Sequence, residues 1–121
     1  MIVVDSSIWA DHFRRPLEHL LELAEREKLV HHPFVTGELA LGNSKQPEAL
    51  IRSFAVLRRC ASVSHEEVLS YLIEHELSGT GVGYVDAHLL ASCSKEQHGL
   101  WTRDKRLETQ AERLGLLYRP E

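Results

Sequence analysis

Cysteine is scarce in this chain: of 121 residues only Cys60 and Cys93 carry thiols, and neither belongs to a CxxC pair or a Cys/His set with zinc-like spacing. That excludes a disulfide scaffold and the common structural zinc modules, and leaves both as reduced thiols among apolar neighbours. Long hydrophobic runs are missing too, so no segment has the length a bilayer demands. Met1-Ile2-Val3-Val4 runs straight into Asp5 with no charged leader, and a cytoplasmic protein without a membrane partner is the expectation. A basic excess is also lacking. The formal net charge is -4, where nucleic-acid binders usually show a positive surface. There is no HExxH pair among the eight histidines, no GxGxxG loop, no internal repeat and no low-complexity segment.

What is present suits one globular domain over residues 1–121, since 43% of the residues are hydrophobic and a core can form without staples. Ile2-Val3-Val4 is β-branched and is followed at once by Asp5-Ser6-Ser7, a strand end beside a helix start. That helix is expected to reach Phe13 and to break at Arg14-Arg15-Pro16. Leu17, Leu20, Leu21 and Ala24 recur at helical spacing, Leu29 to His32 reads as a strand closed by Pro33, and Phe34 to Leu41 reads as a helix stopped at Gly42-Asn43. A further helix is expected from Pro47 to Arg59 and a third strand at Ala61-Ser62-Val63.

Ser64 and Glu67 form a capping box for a helix whose buried stripe is expected to be Val68, Leu69, Leu72, Ile73 and Leu77. After the glycine-rich loop 78–83 come an apolar helix from Tyr84 to Gln97, a strand at Leu100-Trp101-Thr102, a helix capped by Asp104 that ends near Leu114, and a last strand at Leu116-Leu117-Tyr118. Strands alternating with helices imply parallel βαβ units and a sheet covered on both faces, an α/β fold.

Ligands of open parallel sheets bind beyond the carboxyl ends of the strands. Asp5 and Asp104 fall at that edge, Asp86 lies in the first turn of its helix, and Glu38 sits mid-helix among Phe34, Leu39 and Leu41. Carboxylates drawn together repel one another and persist only if a cation compensates. Oxygen-only ligands select a hard ion, Mg²⁺ or Mn²⁺ rather than zinc, and such an ion serves phosphodiester hydrolysis. Setting these four aside from the 18 acids leaves 14 against 14 Lys+Arg, so the acid excess is the site itself. Each residue also has a plainer reading. Asp5 and Asp104 are placed to be ordinary helix N-caps, Asp86 to complement a helix dipole, and Glu38 to be solvated.

The combination resembles the PIN-domain family, and within it the VapC-type toxins of VapBC toxin-antitoxin modules. The resemblance is carried by Ile2-Val3-Val4-Asp5-Ser6-Ser7-Ile8-Trp9, Thr36-Gly37-Glu38-Leu39, Gly83-Tyr84-Val85-Asp86-Ala87-His88-Leu89-Leu90-Ala91 and Trp101-Thr102-Arg103-Asp104, in an order and spacing that span essentially the whole chain. It implies a PIN-like three-layer α/β/α sandwich around a mostly parallel sheet of four or five strands. It further implies a ribonuclease dependent on Mg²⁺ or Mn²⁺ that cuts structured RNA such as transfer or ribosomal RNA. Asp5, Glu38, Asp86 and Asp104 fall on the family's acidic quartet, with Asp5, Asp86 and Asp104 as the expected metal contacts. Ser7 and Thr102 fall where the family carries supporting hydroxyls. A homodimer silenced by a cognate VapB-type antitoxin is implied as well.

Arg103, next to Asp104, is the cation placed nearest an RNA phosphate, and Arg14 is a second candidate for the groove. Trp9, Trp101 and His88 are read as packing residues. Three rivals stand beside the nuclease. A phosphoacceptor signalling domain would need an aspartate at the end of a central strand, where Pro33 stands; an aspartyl phosphatase would want an acid two residues after Asp5, where Ser7 stands. A catalytically silent RNA- or protein-binding module on the same scaffold is the third.

Overall fold

A computed structural model describes residues 1–120. The chain runs β1 (Ile2–Val4), α1 (Ser6–Arg14), α2 (Glu18–Glu25), β2 (Leu29–His31), α3 (Pro33–Leu41), α4 (Pro47–Ala55), β3 (Arg58–Arg59), α5 (His65–Glu74), α6 (Tyr84–Glu96), β4 (Gly99–Trp101) and α7 (Lys105–Arg113). The strands form one parallel sheet in the order β3-β2-β1-β4, with Val3 opposite Val30 on one side and Leu100 on the other. β1 is central because it is wholly apolar, and a parallel strand covered on both faces must be.

Side chains alternate across the sheet and so divide the core in two. Val3, Val30 and Leu100 pack with Val35 of α3, Val68 of α5, Leu89, Leu90 and Cys93 of α6, and Leu107 of α7. Val4, Leu29 and Trp101 pack with Ile8 of α1 and Leu20 and Leu23 of α2. The result is the three-layer α/β/α sandwich. Within it α6 is buried at every position from Ala87 to Cys93, which explains why it is apolar all round rather than striped. Cys60 and Cys93 are both free and buried.

Several expected boundaries shift. The helix from Pro47 stops at Ala55, and Arg58-Arg59 turn extended to pair with Val30-His31, so the third strand precedes Ala61–Val63. An edge strand needs only backbone partners, and two exposed arginines give no apolar pattern to read. Pro33 opens α3 instead of merely closing β2, with the His32 side chain accepting the Phe34 N–H at 3.0 Å. On α5, Val68 is buried while Leu69 and Ile73 are 42% and 71% exposed, because they lie on the next face round the helix from the one that meets α6. Leu116 to Tyr118 makes one parallel bridge, Leu117 to Leu100, so the sheet has four strands and a single-bridge extension.

Candidate active site

The crest formed by the carboxyl ends of β1 and β4 is tied by the Asp5 N–H donating to the Trp101 carbonyl at 2.9 Å. Asp5 occupies the N-cap position of α1 with extended backbone, yet its side chain makes no capping bond. The plainer reading of this residue fails here. Instead Oδ2 accepts the hydroxyls of Ser7 and Thr102, each at 2.8 Å, while Oδ1 has only Ser6 Oγ at 3.5 Å. The residue is 4% exposed. Thr102 Oγ1 also accepts the Asp104 N–H at 3.1 Å, so one hydroxyl fixes two acids of the expected quartet.

Asp104 behaves otherwise. Its Oδ1 caps α7, accepting from the N–H groups of Arg106 at 3.0 Å and Leu107 at 3.1 Å. The cap reading is correct for this residue, and because one oxygen does both tasks, Oδ2 is left over for the cleft. Asp86 lies in the first turn of α6, behind a loop where Gly79 and Gly81 adopt positive φ and a Cβ at Gly81 would stand 2.7 Å from Arg106 Cδ. Glu38 projects from α3.

All four carboxylates line one cleft of about 1110 Å³. Burial pushes the Asp86 carboxyl up to about 6, with the charges of Asp5, Asp104 and Glu38 adding to the rise. Glu38 is raised as well, by partial desolvation and then by Asp5. The four thus share one field, although among the described residues no three acids close to the distance that would grip an ion directly. An all-oxygen set of this kind fits Mg²⁺ or Mn²⁺, which retain water and accept ligands through it.

Arg14 lines the cleft, whereas Arg103 is outside its lining, and both guanidiniums are bound to Asp11. The Arg103 and Arg14 partners hold the Asp11 carboxyl below its ordinary range. The spacing of Asp11 and Arg14 along α1 is a legible helical pair; the contact with Arg103, from the far end of the chain, is not. Away from the carboxylates the cleft becomes apolar at Trp9, Phe13, Leu39, Leu50 and Phe54. Trp9 packs edge-on against Phe54 at 4.8 Å, and Trp101 and His88 are buried, in keeping with packing roles.

No family model matches the chain. A protein named Ribonuclease VapC32 from Mycobacterium tuberculosis, in strains CDC 1551 / Oshkosh and ATCC 25618 / H37Rv, is 40% identical over 117 residues, covering 96% of this chain and 94% of that one. Among solved structures, the crystal structure of PAE2754 from Pyrobaculum aerophilum aligns with a TM-score of 0.59 at 20% identity, over 90% of this chain and 83% of that one. The second likeness is one of fold.

Proposed function

The chain belongs to the VapC family of PIN-domain ribonuclease toxins, and from that premise we propose that Asp5, Asp86 and Asp104 hold Mg²⁺, or Mn²⁺ in its place, with Glu38 completing the charge set, to cut structured RNA such as transfer or ribosomal RNA. The observation that carries this reading is that acids from four separated stretches line a single cleft, with Asp5 denied its local capping role and held by hydroxyls from both ends of the chain. When bound, the ion supplies Lewis-acid activation of water and offsets the charge that builds on the phosphate.

The chain's own residues supply the rest. Ser7 and Thr102 hold Asp5 by Oδ2 and leave Oδ1 for the ion; Asp104 holds one oxygen on α7 and keeps the other; Asp86 is the third metal contact, and Glu38 completes the negative charge that selects a divalent partner. Residues 1–121 act as one nuclease domain in this reading, assembled as a homodimer and silenced by a VapB-type antitoxin. Among the described residues no helix is long and apolar enough to cross a membrane.

The test is to incubate the purified chain with total cellular RNA, with and without Mg²⁺, and to map new ends by sequencing. Discrete ends that need Mg²⁺ and vanish with Asp5→Asn support the proposal. Ends that persist in EDTA, or that Asp5→Asn produces at the parent rate, would sink it.

A further inference from the structure

A cleft lined by four acids repels the polyanion it is meant to receive, so the local cations decide whether RNA can enter. Arg14 lines it from the last turn of α1, and Arg103, in the turn after β4, is joined to the lining through its backbone bond to Ser7. These side chains are long and mostly in solvent, 78% and 50% exposed, and ordering such groups costs entropy. One carboxylate meets that cost for both. Asp11 Oδ1 accepts from Arg14 and Oδ2 accepts from Arg103 NH1 at 2.5 Å, so each guanidinium spends one nitrogen on Asp11 and keeps others for a further acceptor. The arrangement is coupled to the acids themselves. The Arg103 N–H donates to Ser7 Oγ at 3.0 Å, and Ser7 Oγ in turn donates to Asp5 Oδ2. The backbone of Arg103 is thereby locked to the site while Asp11 locks its head group.

We infer that Asp11 is a positioning residue that holds Arg14 and Arg103 as a two-pronged clamp for backbone phosphates of the RNA flanking the scissile bond. The inference rests on the reading of the cleft as an RNA-cutting site. Its sign is unusual. Counting charge alone, removing an acid near a negative cleft tightens binding of a polyanion; if Asp11 positions the arginines, removing it weakens binding.

The experiment measures anisotropy of a fluorescent, mixed-sequence single-stranded RNA oligonucleotide in an Asp5→Asn background with Mg²⁺ present, across a salt series. Asp11→Ala is expected to weaken binding about threefold to tenfold, the loss that follows from freeing rotamer-rich side chains. Asp11→Glu should restore much of it. Arg14→Ala and Arg103→Ala should each lower the slope of log affinity against log salt by about 0.7. Adding Asp11→Ala to the double arginine variant should then change nothing, since Asp11 acts only through them. In the cutting-competent chain Asp11→Ala should raise KM and leave kcat at saturating RNA in place.

Binding by Asp11→Ala that equals or exceeds the parent overturns the inference, as does a further loss on top of the arginine pair or a fall in kcat at unchanged KM. Absence of RNA binding by the background chain overturns it too. RNA bound with the expected variant pattern, but never cut in Mg²⁺, refutes the nuclease reading and leaves the clamp standing.

Discussion

Adjacent strands end in buried polar residues that are treated in opposite ways. Asp5 follows β1 and His32 follows β2, at 4% and 2% exposure. His32 has both ring nitrogens engaged inside the protein: Nδ1 accepts the Phe34 N–H, so Nε2 carries the proton and donates to Ser92 Oγ at 3.2 Å. Burial first, then the neighbouring His88, His31 and Arg59 charges, push it down to about 4, and it stays neutral as the cap of α3. Asp5, in the lining of the cleft, has one oxygen held by two hydroxyls at 2.8 Å and the other with only Ser6 Oγ at 3.5 Å. Position in the fold therefore does not separate a structural polar group from a chemical one. What separates them is bonding capacity left unspent.

The sharpest way to break that contrast is to remove each group in turn. Asp5→Asn is expected to lower Mg²⁺-dependent cleavage by about a hundredfold to a thousandfold while the melting temperature holds or rises, read by initial rates and calorimetry side by side. If the rate survived, Asp5 would be another His32. His32→Ala should do the reverse, costing about 2–4 kcal/mol in urea unfolding by opening a cavity and orphaning Ser92 and the Phe34 N–H, with the cleavage rate per folded molecule kept. A pH series sharpens it further. Because the folded-state value of His32 lies near 4 and its ordinary value is 6.5, the folded protein binds fewer protons in between. Stability from this residue is thus present above about pH 6.5 and lost as pH falls toward 4, and His32→Ala should flatten that limb.

Two smaller effects probe the acid side. Thr102→Val removes a donor to Asp5 and the acceptor for the Asp104 N–H, and should cost about tenfold in cleavage or in the Mg²⁺ concentration needed, with little change in stability. Unchanged kinetics would mean that Ser7 alone orients Asp5. Asp86 offers the mirror image of His32. Its folded carboxyl titrates near 6, above the ordinary 3.8, so the metal-free protein gains stability as pH falls through 6. Asp86→Asn should stabilise the metal-free chain by about 1 kcal/mol at pH 7, after allowance for solvent screening, with the gain fading toward pH 4. An equal gain at every pH would point to packing instead of charge.

Much of this was readable in advance, for identifiable reasons. The alternation of strand and helix, the capping box at Ser64 and Glu67, and the buried α6 are local signals, and they match the observed elements. The four acids are marked by family spacing and line one cleft, and Ser7 and Thr102, marked in the same way, both donate to Asp5. What escaped was set by contacts at a distance. β3 exists because Arg58 and Arg59 find backbone partners in β2, and nothing in two exposed arginines announces it. Leu69 and Ile73 look like core by spacing, yet they lie off the face of α5 that Val68 buries and are exposed. Asp11 drew no notice because half of its meaning lies 92 residues away. His32 belongs to no ligand motif, and its role depends on Ser92, 60 residues along.

The pairing of β1 with β4 carries a consequence for how this molecule comes into being. Asp5 is synthesised well before the Trp101 carbonyl that fixes its backbone and the Thr102 hydroxyl that holds its side chain, 97 residues further along. Closing so wide a loop is slow, and the β1–β4 ladder forms only once Gly99 to Trp101 is in place. A chain that lacks β4 therefore has an Asp5 without its backbone anchor and without one of the two hydroxyls that hold its side chain.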